Sequence, residues 1–131
     1  MKIIRFSFDD KISYGIINGS TIQEIEDTPF DHIKLTAHYY NLKQVKLLPP
    51  CTPSKIVALG LNYHTHAKEL NLPVPDAPLL FLKPSTAVIG PEDNIIYPSA
   101  SARVDYEGEL AVVIKKPVWR VAIKDALNYV L

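Results

Sequence analysis

The sequence predicts an α+β chain, with a small β-rich module over residues 1–52 and a second, strand-rich part over residues 53–131. Three observations carry this prediction. Apolar residues alternate along the first strand candidates, three prolines fall within Leu47-Leu48-Pro49-Pro50-Cys51-Thr52-Pro53, and short apolar runs closed by Gly or Pro recur after them.

In the first module, Ile4, Phe6 and Phe8 alternate with Ile3, Arg5 and Ser7, the period of two that suits a half-buried strand. Asp9-Asp10 supplies a turn, and Ile12, Tyr14 and Ile16 share one face of the next strand. Asn18-Gly19 is a strong hairpin signal, because both residue types tolerate positive φ, and Thr21 to Ile25 follows as a third strand. The stretch from Thr28 to Gln44 fits neither period, and the module is expected to be a small sheet with one helix. The proline cluster can neither continue a helix nor serve a central strand, so residues 47–53 read as a stiff linker.

In the second part, Lys55 to Gly60 suits a buried strand and His64 to Leu70 a short helix ended by Pro73 and Pro75. Leu79 to Lys83 is a further strand, closed by Pro84, and residues 104–114 give the longest strand signal in the chain. Ala122, Ala126 and Val130, with Leu127 and Leu131 beside them, have helical spacing, and the sequence stops there without a capping residue.

Composition narrows the function. Apolar residues make up 47% and charged residues 21%, the mix of a globular protein. Lys plus Arg equals Asp plus Glu, so no net field attracts nucleic acid or an anionic membrane, and the basic residues are scattered. No apolar run is long enough to span a bilayer, and the N-terminus lacks a signal-peptide core. The single cysteine, Cys51, reads as a buried thiol in a reducing compartment, which makes the expected location cytoplasmic.

Three clusters can carry chemistry. In Asp105-Tyr106-Glu107-Gly108-Glu109-Leu110, strand alternation points Asp105, Glu107 and Glu109 one way and Leu110, Val112 and Ile114 the other. Two Glu side chains at i and i+2 on one face repel unless a cation lies between them, and oxygen-only ligands favour Mg²⁺ or Mn²⁺, with Ca²⁺ as a further option. The alternative is a solvated strand face. In the second cluster, Asn62 to Glu69, His66 and Glu69 stand three apart on one helix face. A carboxylate beside imidazole raises its basicity and suits a general base. Zinc ligation by His64 and His66 is disfavoured because no third His or Cys has suitable spacing, and a surface helix with an incidental charge pair is the simpler alternative. His32 and His38 are assigned no chemistry. In the third cluster, Phe81-Leu82-Lys83-Pro84-Ser85-Thr86, Lys83 at a strand end either grips a substrate carboxylate or snorkels to solvent. Neither a phosphate-cradling Gly-rich loop nor a Gly-x-Ser-x-Gly elbow is present.

In order and spacing these clusters resemble the fumarylacetoacetate hydrolase family. Gly60-Leu61-Asn62-Tyr63 with His66 and Glu69 resembles its His–Glu lid segment, and Phe81 to Thr86 resembles the segment that opens its active site. Val104 to Leu110 resembles its metal strand, and residues 1 to about 50 resemble a module that precedes the catalytic domain. The resemblance implies an incomplete mixed β-roll of the family type, with Glu107 and Glu109 as metal ligands and His66, Glu69 and Lys83 as catalytic residues. It also implies a small keto-acid substrate and a homodimer in full-length form. Family members continue for over a hundred residues past the segment resembling Ala126 to Val130, and that part carries a third metal carboxylate and a catalytic Lys. The chain is therefore expected to be truncated and inactive by itself.

The resemblance implies carbon–carbon bond hydrolysis of an acylpyruvate-like diacid, with His66 deprotonating water and the metal stabilising an enolate. Isomerisation of a hydroxymuconate-like diacid and decarboxylation of oxaloacetate are the alternatives within the class. A different class is a non-catalytic remnant that associates with a partner chain, and a small ligand-binding module without turnover has no positive support.

Overall fold

A computed structural model describes residues 1–131, and it divides into two compact units, one made of residues 1–51 with 89–131 and the other of residues 52–88. Strands dominate both, in open sheets. No helix is long and apolar enough to cross a membrane.

The first unit is built on a five-stranded antiparallel sheet in the order β4-β3-β2-β1-β5. Strand β1 (Ile3–Phe8) pairs with β2 (Lys11–Asn18) through a turn in which Asp9 and Asp10 take φ values of 47° and 62°. Both are left-handed, as the mirror-image turn that matches strand twist requires, and Asp tolerates this region better than most residues. Strand β3 (Thr21–Ile25) returns through Gly19-Ser20, where only Gly19 is left-handed, at φ 60°. The turn thus uses the Gly of the predicted Asn-Gly pair, while Asn18 stays in the ladder opposite Thr21.

Two expectations for this module are corrected. The ambiguous stretch forms strand β4 (Leu35–Asn41), and the only helical turn is 3-10, at Leu42–Gln44, closed by a capping box between Asn41 and Gln44. Leu47 and Leu48 belong to strand β5 (Lys46–Leu48), which pairs with β1. Proline excludes a central strand, but β5 is a three-residue edge strand that ends before Pro49, so the linker begins later than predicted.

The core lies on both sheet faces. Phe6 and Ile22 are fully buried on one, where Tyr40 packs at 5.1 Å from Phe6 and from Phe8 between ring centroids. On the other, Ile25 is buried and Tyr14 meets Phe30 edge-on at 5.9 Å. Gly15 makes the first cluster possible: a Cβ there would stand 2.5 Å from Ile22 Cγ2, 2.9 Å from the Gln23 carbonyl and 3.2 Å from the Phe6 ring.

The rest of this unit is largely irregular. The strand expected over residues 104–114 is not formed as a ladder, because strand structure needs a neighbour and only Ile114 finds one, in a single bridge to Val130. The helix expected after Ala122 is a 3-10 segment, Ile123–Tyr129. Ala122 and Ala126 are exposed and Leu127 is 80% exposed, so the apolar stripe is not buried, and burial is what stabilises an amphipathic α-helix.

The second unit pairs strand β6 (Lys55–Gly60) with β7 (Leu79–Pro84), with Ile56 opposite Lys83 and Gly60 opposite Leu79. Between them stands helix α1 (His64–Glu69). Its C-terminus is closed by paired bonds, Asn71 N–H to the Lys68 carbonyl and Leu72 N–H to that of Ala67, with Asn71 left-handed at φ 53°. Its N-terminus has no side-chain cap and follows Leu61, also at φ 53°, a costly conformation for a large side chain.

Candidate functional site

Helix α1 presents His66 and Glu69 one turn apart, and their Nδ1 and Oε2 atoms stand 3.7 Å apart. That is an ion-pair distance, longer than the hydrogen bond expected from the spacing. His66 is half-buried while Glu69 is 77% exposed, so the carboxylate is free to move toward the ring. Lys83 lies on exposed strand β7, and its Nζ rests 5.7 Å from the Phe81 ring centroid, which holds the ammonium over an aromatic face.

Glu107 and Glu109 sit on the extended stretch 104–113, exposed, with Gly108 between them. Asp105, two residues earlier, is engaged by Arg103, whose Nε donates to its Oδ1 at 2.8 Å. His66, Glu69 and Lys83 belong to the unit 52–88, and Glu107 and Glu109 to the other unit.

The carboxylates suit a hard divalent cation in chemistry, since both offer oxygen alone. In number they do not complete a site within this chain, where no three His, Cys, Asp or Glu side chains converge as metal ligands would. A cleft of about 600 Å³ lies elsewhere, lined by Lys115, Lys116, Asp125, Asn128 and Tyr129, and it contains none of the predicted site residues.

Sequence reasoning missed a buried polar cluster. Glu24 on β3 is 4% exposed, and its Oε1 accepts from Lys11 Nζ and Ser13 Oγ, each at 2.7 Å. Its Oε2 meets His38 Nδ1 at 2.9 Å. Burial pushes this carboxyl up, but the bonds from Lys11, Ser13 and His38 outweigh it and hold the pKa at about 2. The signal was the i, i+2 spacing of Lys11 and Ser13 on the face of β2 that β3 shares; the position of His38 was not legible. Every acceptor is matched to a donor from the same sheet, so the cluster is a structural brace.

Comparison with known proteins places these observations. Residues 55–131 match a family model described as fumarylacetoacetate (FAA) hydrolase C-terminal, and residues 1–50 match one described as Rv2993c-like, N-terminal. An uncharacterized protein of Archaeoglobus fulgidus is 61% identical over 90 residues, covering 69% of this chain and 36% of its own. A mitochondrial oxaloacetate tautomerase of Bos taurus is 47% identical over 88 residues, covering 66% of this chain and 28% of its own. The crystal structure of a 5-carboxymethyl-2-hydroxymuconate delta-isomerase from Mycobacterium smegmatis superposes with a TM-score of 0.88 at 35% identity, covering 100% of this chain and 52% of the isomerase. The chain thus spans about half or less of the length of these relatives.

Proposed function

Because the chain belongs to the fumarylacetoacetate hydrolase family, we propose that its residues serve the isomerisation or tautomerisation of a small keto diacid. The supporting observation is that relatives with named activities include a hydroxymuconate-type isomerase, alike over the whole of this chain, and an oxaloacetate tautomerase. Both reactions move a proton without breaking a carbon–carbon bond. They favour the alternative drawn from the sequence over hydrolysis.

In this reading His66 carries the proton and Glu69 positions its ring. Lys83 offers an ammonium to a substrate carboxylate. Glu107 and Glu109 would hold Mg²⁺ or Mn²⁺, and such an ion supplies charge stabilisation to an enolate oxygen when bound. The activity is proposed for a protein of the relatives' length, as a homodimer, with a small keto acid as substrate.

The test places these 131 residues in the frame of the Mycobacterium smegmatis isomerase, replacing the matching part, and follows oxaloacetate enol-to-keto conversion by ultraviolet absorbance. Conversion lost in Glu107→Ala, with the fold retained, is the expected result. Acylpyruvate cleavage without any enol–keto conversion would return the assignment to hydrolysis.

A further inference from the structure

Helix α1 is six residues long, too short to be stable by itself, and no side chain caps its N-terminus. Left-handed residues bracket it instead. Asn71, at φ 53°, closes the C-terminus, and Leu61, also at φ 53°, turns the chain as it leaves β6, with Asn62 and Tyr63 between it and the helix. Asn visits this region routinely, whereas in Leu the Cβ crowds the following carbonyl oxygen. Seven non-glycine residues have positive φ; four are Asp or Asn, and Leu61 is the only apolar one. Glycine stands next to this position and not at it. Gly60 has no positive φ, and a Cβ added there would lie 3.6 Å from Leu79 Cβ, an ordinary contact. Backbone strain of this kind persists where the surrounding structure holds it, and it gathers at functional sites.

We propose that Leu61 is a positioning residue: its left-handed backbone sets where α1 starts, and through that where His66 is presented. The connection is short. Tyr63 is extended, at φ −112° and ψ 131°, and its carbonyl accepts the first helical bond, from the Ala67 N–H at 3.1 Å. Ala67 is buried and His66, the residue before it, is half-buried. In the absence of a cap, the direction in which the chain enters is what fixes this first turn. An ordinary negative φ at Leu61 would redirect Asn62 and Tyr63 and displace the carbonyl that starts the helix. The catalytic part of the inference rests on the reading of His66 as proton carrier; the part about the helix does not.

Three substitutions separate the backbone of Leu61 from its side chain. Leu61→Asn and Leu61→Gly accept positive φ but give up apolar contact, whereas Leu61→Val stays apolar and resists positive φ. In the 131-residue chain, the amides of Ala67 and Leu70 donate to the Tyr63 and His66 carbonyls and report on the helix. Their hydrogen exchange should be about tenfold faster or more in Leu61→Val and unchanged in the other two, with the amides of β2 and β3 unaffected throughout. In the isomerase frame, Leu61→Val should lower kcat by about 10- to 100-fold at unchanged KM, while Leu61→Asn and Leu61→Gly retain it. A packing role for the side chain predicts the reverse ranking. That ranking, or exchange alike in all three variants, would overturn the proposal. So would an equal kcat in variants whose exchange differs, because α1 would then shift without consequence for His66. A frame in which the unsubstituted residues convert no enol to keto would sink the proton-carrier reading, and exchange in the 131-residue chain would still decide whether Leu61 sets the helix.

Discussion

His38 reaches Glu24 beside an irregularity in the sheet: their Nδ1 and Oε2 atoms are 2.9 Å apart, where the pairing of β3 with β4 shifts register between Gln23 and Ile25. In an unbroken ladder Gln23 and Ile25 would face residues two apart on β4; here they face Tyr39 and Leu35. Continuing the register of Thr21–Gln23 sets His38 opposite Glu24, so its ring meets the carboxylate that Lys11 and Ser13 already hold, and the extra length of β4 is taken up beyond it.

This brace makes stability depend on acid pH. The Glu24 pKa is depressed in the folded state, to about 2, so its stabilisation is complete above the ordinary carboxylate range and is lost as pH falls through that range toward 2. Urea unfolding at pH 7 and pH 3 should show the loss. Glu24→Gln should destabilise the chain by about 1–3 kcal/mol at pH 7 and flatten the difference, since buried Ser13 loses its ionised partner. An unchanged pH difference in the variant would remove Glu24 from this role.

Gly15 and Gly19 should differ in their response to alanine. At Gly15 the new methyl group meets Ile22, the Gln23 carbonyl and Phe6, and overpacking of this kind costs about 1–3 kcal/mol. At Gly19 nothing lies within 4 Å, and the cost is the left-handed φ of 60° alone, about 1 kcal/mol. Thermal melts should rank Gly15→Ala below Gly19→Ala, and the reverse order would show that the Phe6–Ile22 packing yields easily.

Metal binding by the 131-residue chain should be weak, with a dissociation constant no tighter than about 0.1 mM, because two carboxylates neutralise a divalent cation poorly. Glu109→Ala should abolish it. Calorimetry with Mn²⁺ is the check; tight binding, or binding indifferent to that substitution, counts against Glu109 as a ligand.

His66→Ala, in the isomerase frame, should slow enol–keto conversion by about 10²- to 10⁴-fold, the usual contribution of a positioned proton carrier. Glu69→Gln should cost less and lower kcat with KM unchanged, because Glu69 acts by holding the His66 ring and touches no substrate. A kcat unchanged in Glu69→Gln would leave the 3.7 Å pair without a catalytic part.

Local chemistry determined a good deal of this protein. The alternation around Phe6 and Tyr14, with Gly19 at a turn, needs only neighbouring residues to be read as a hairpin meander, and the three-residue spacing of His66 and Glu69 places them on one helix face. The same holds for Glu107 and Glu109 as a pair of like charges on one side of an extended stretch. Pairing between distant segments decided the rest. Leu47 and Leu48 are a strand because β1 has a free edge to offer them, and Glu24 is buried because Lys11, Ser13 and His38 arrive from β2 and β4 to satisfy it. Residues 104–113 carry as strong a strand pattern as any in the chain, yet they form no ladder, because hydrogen bonds in a sheet are made by the neighbouring strand and no propensity supplies one.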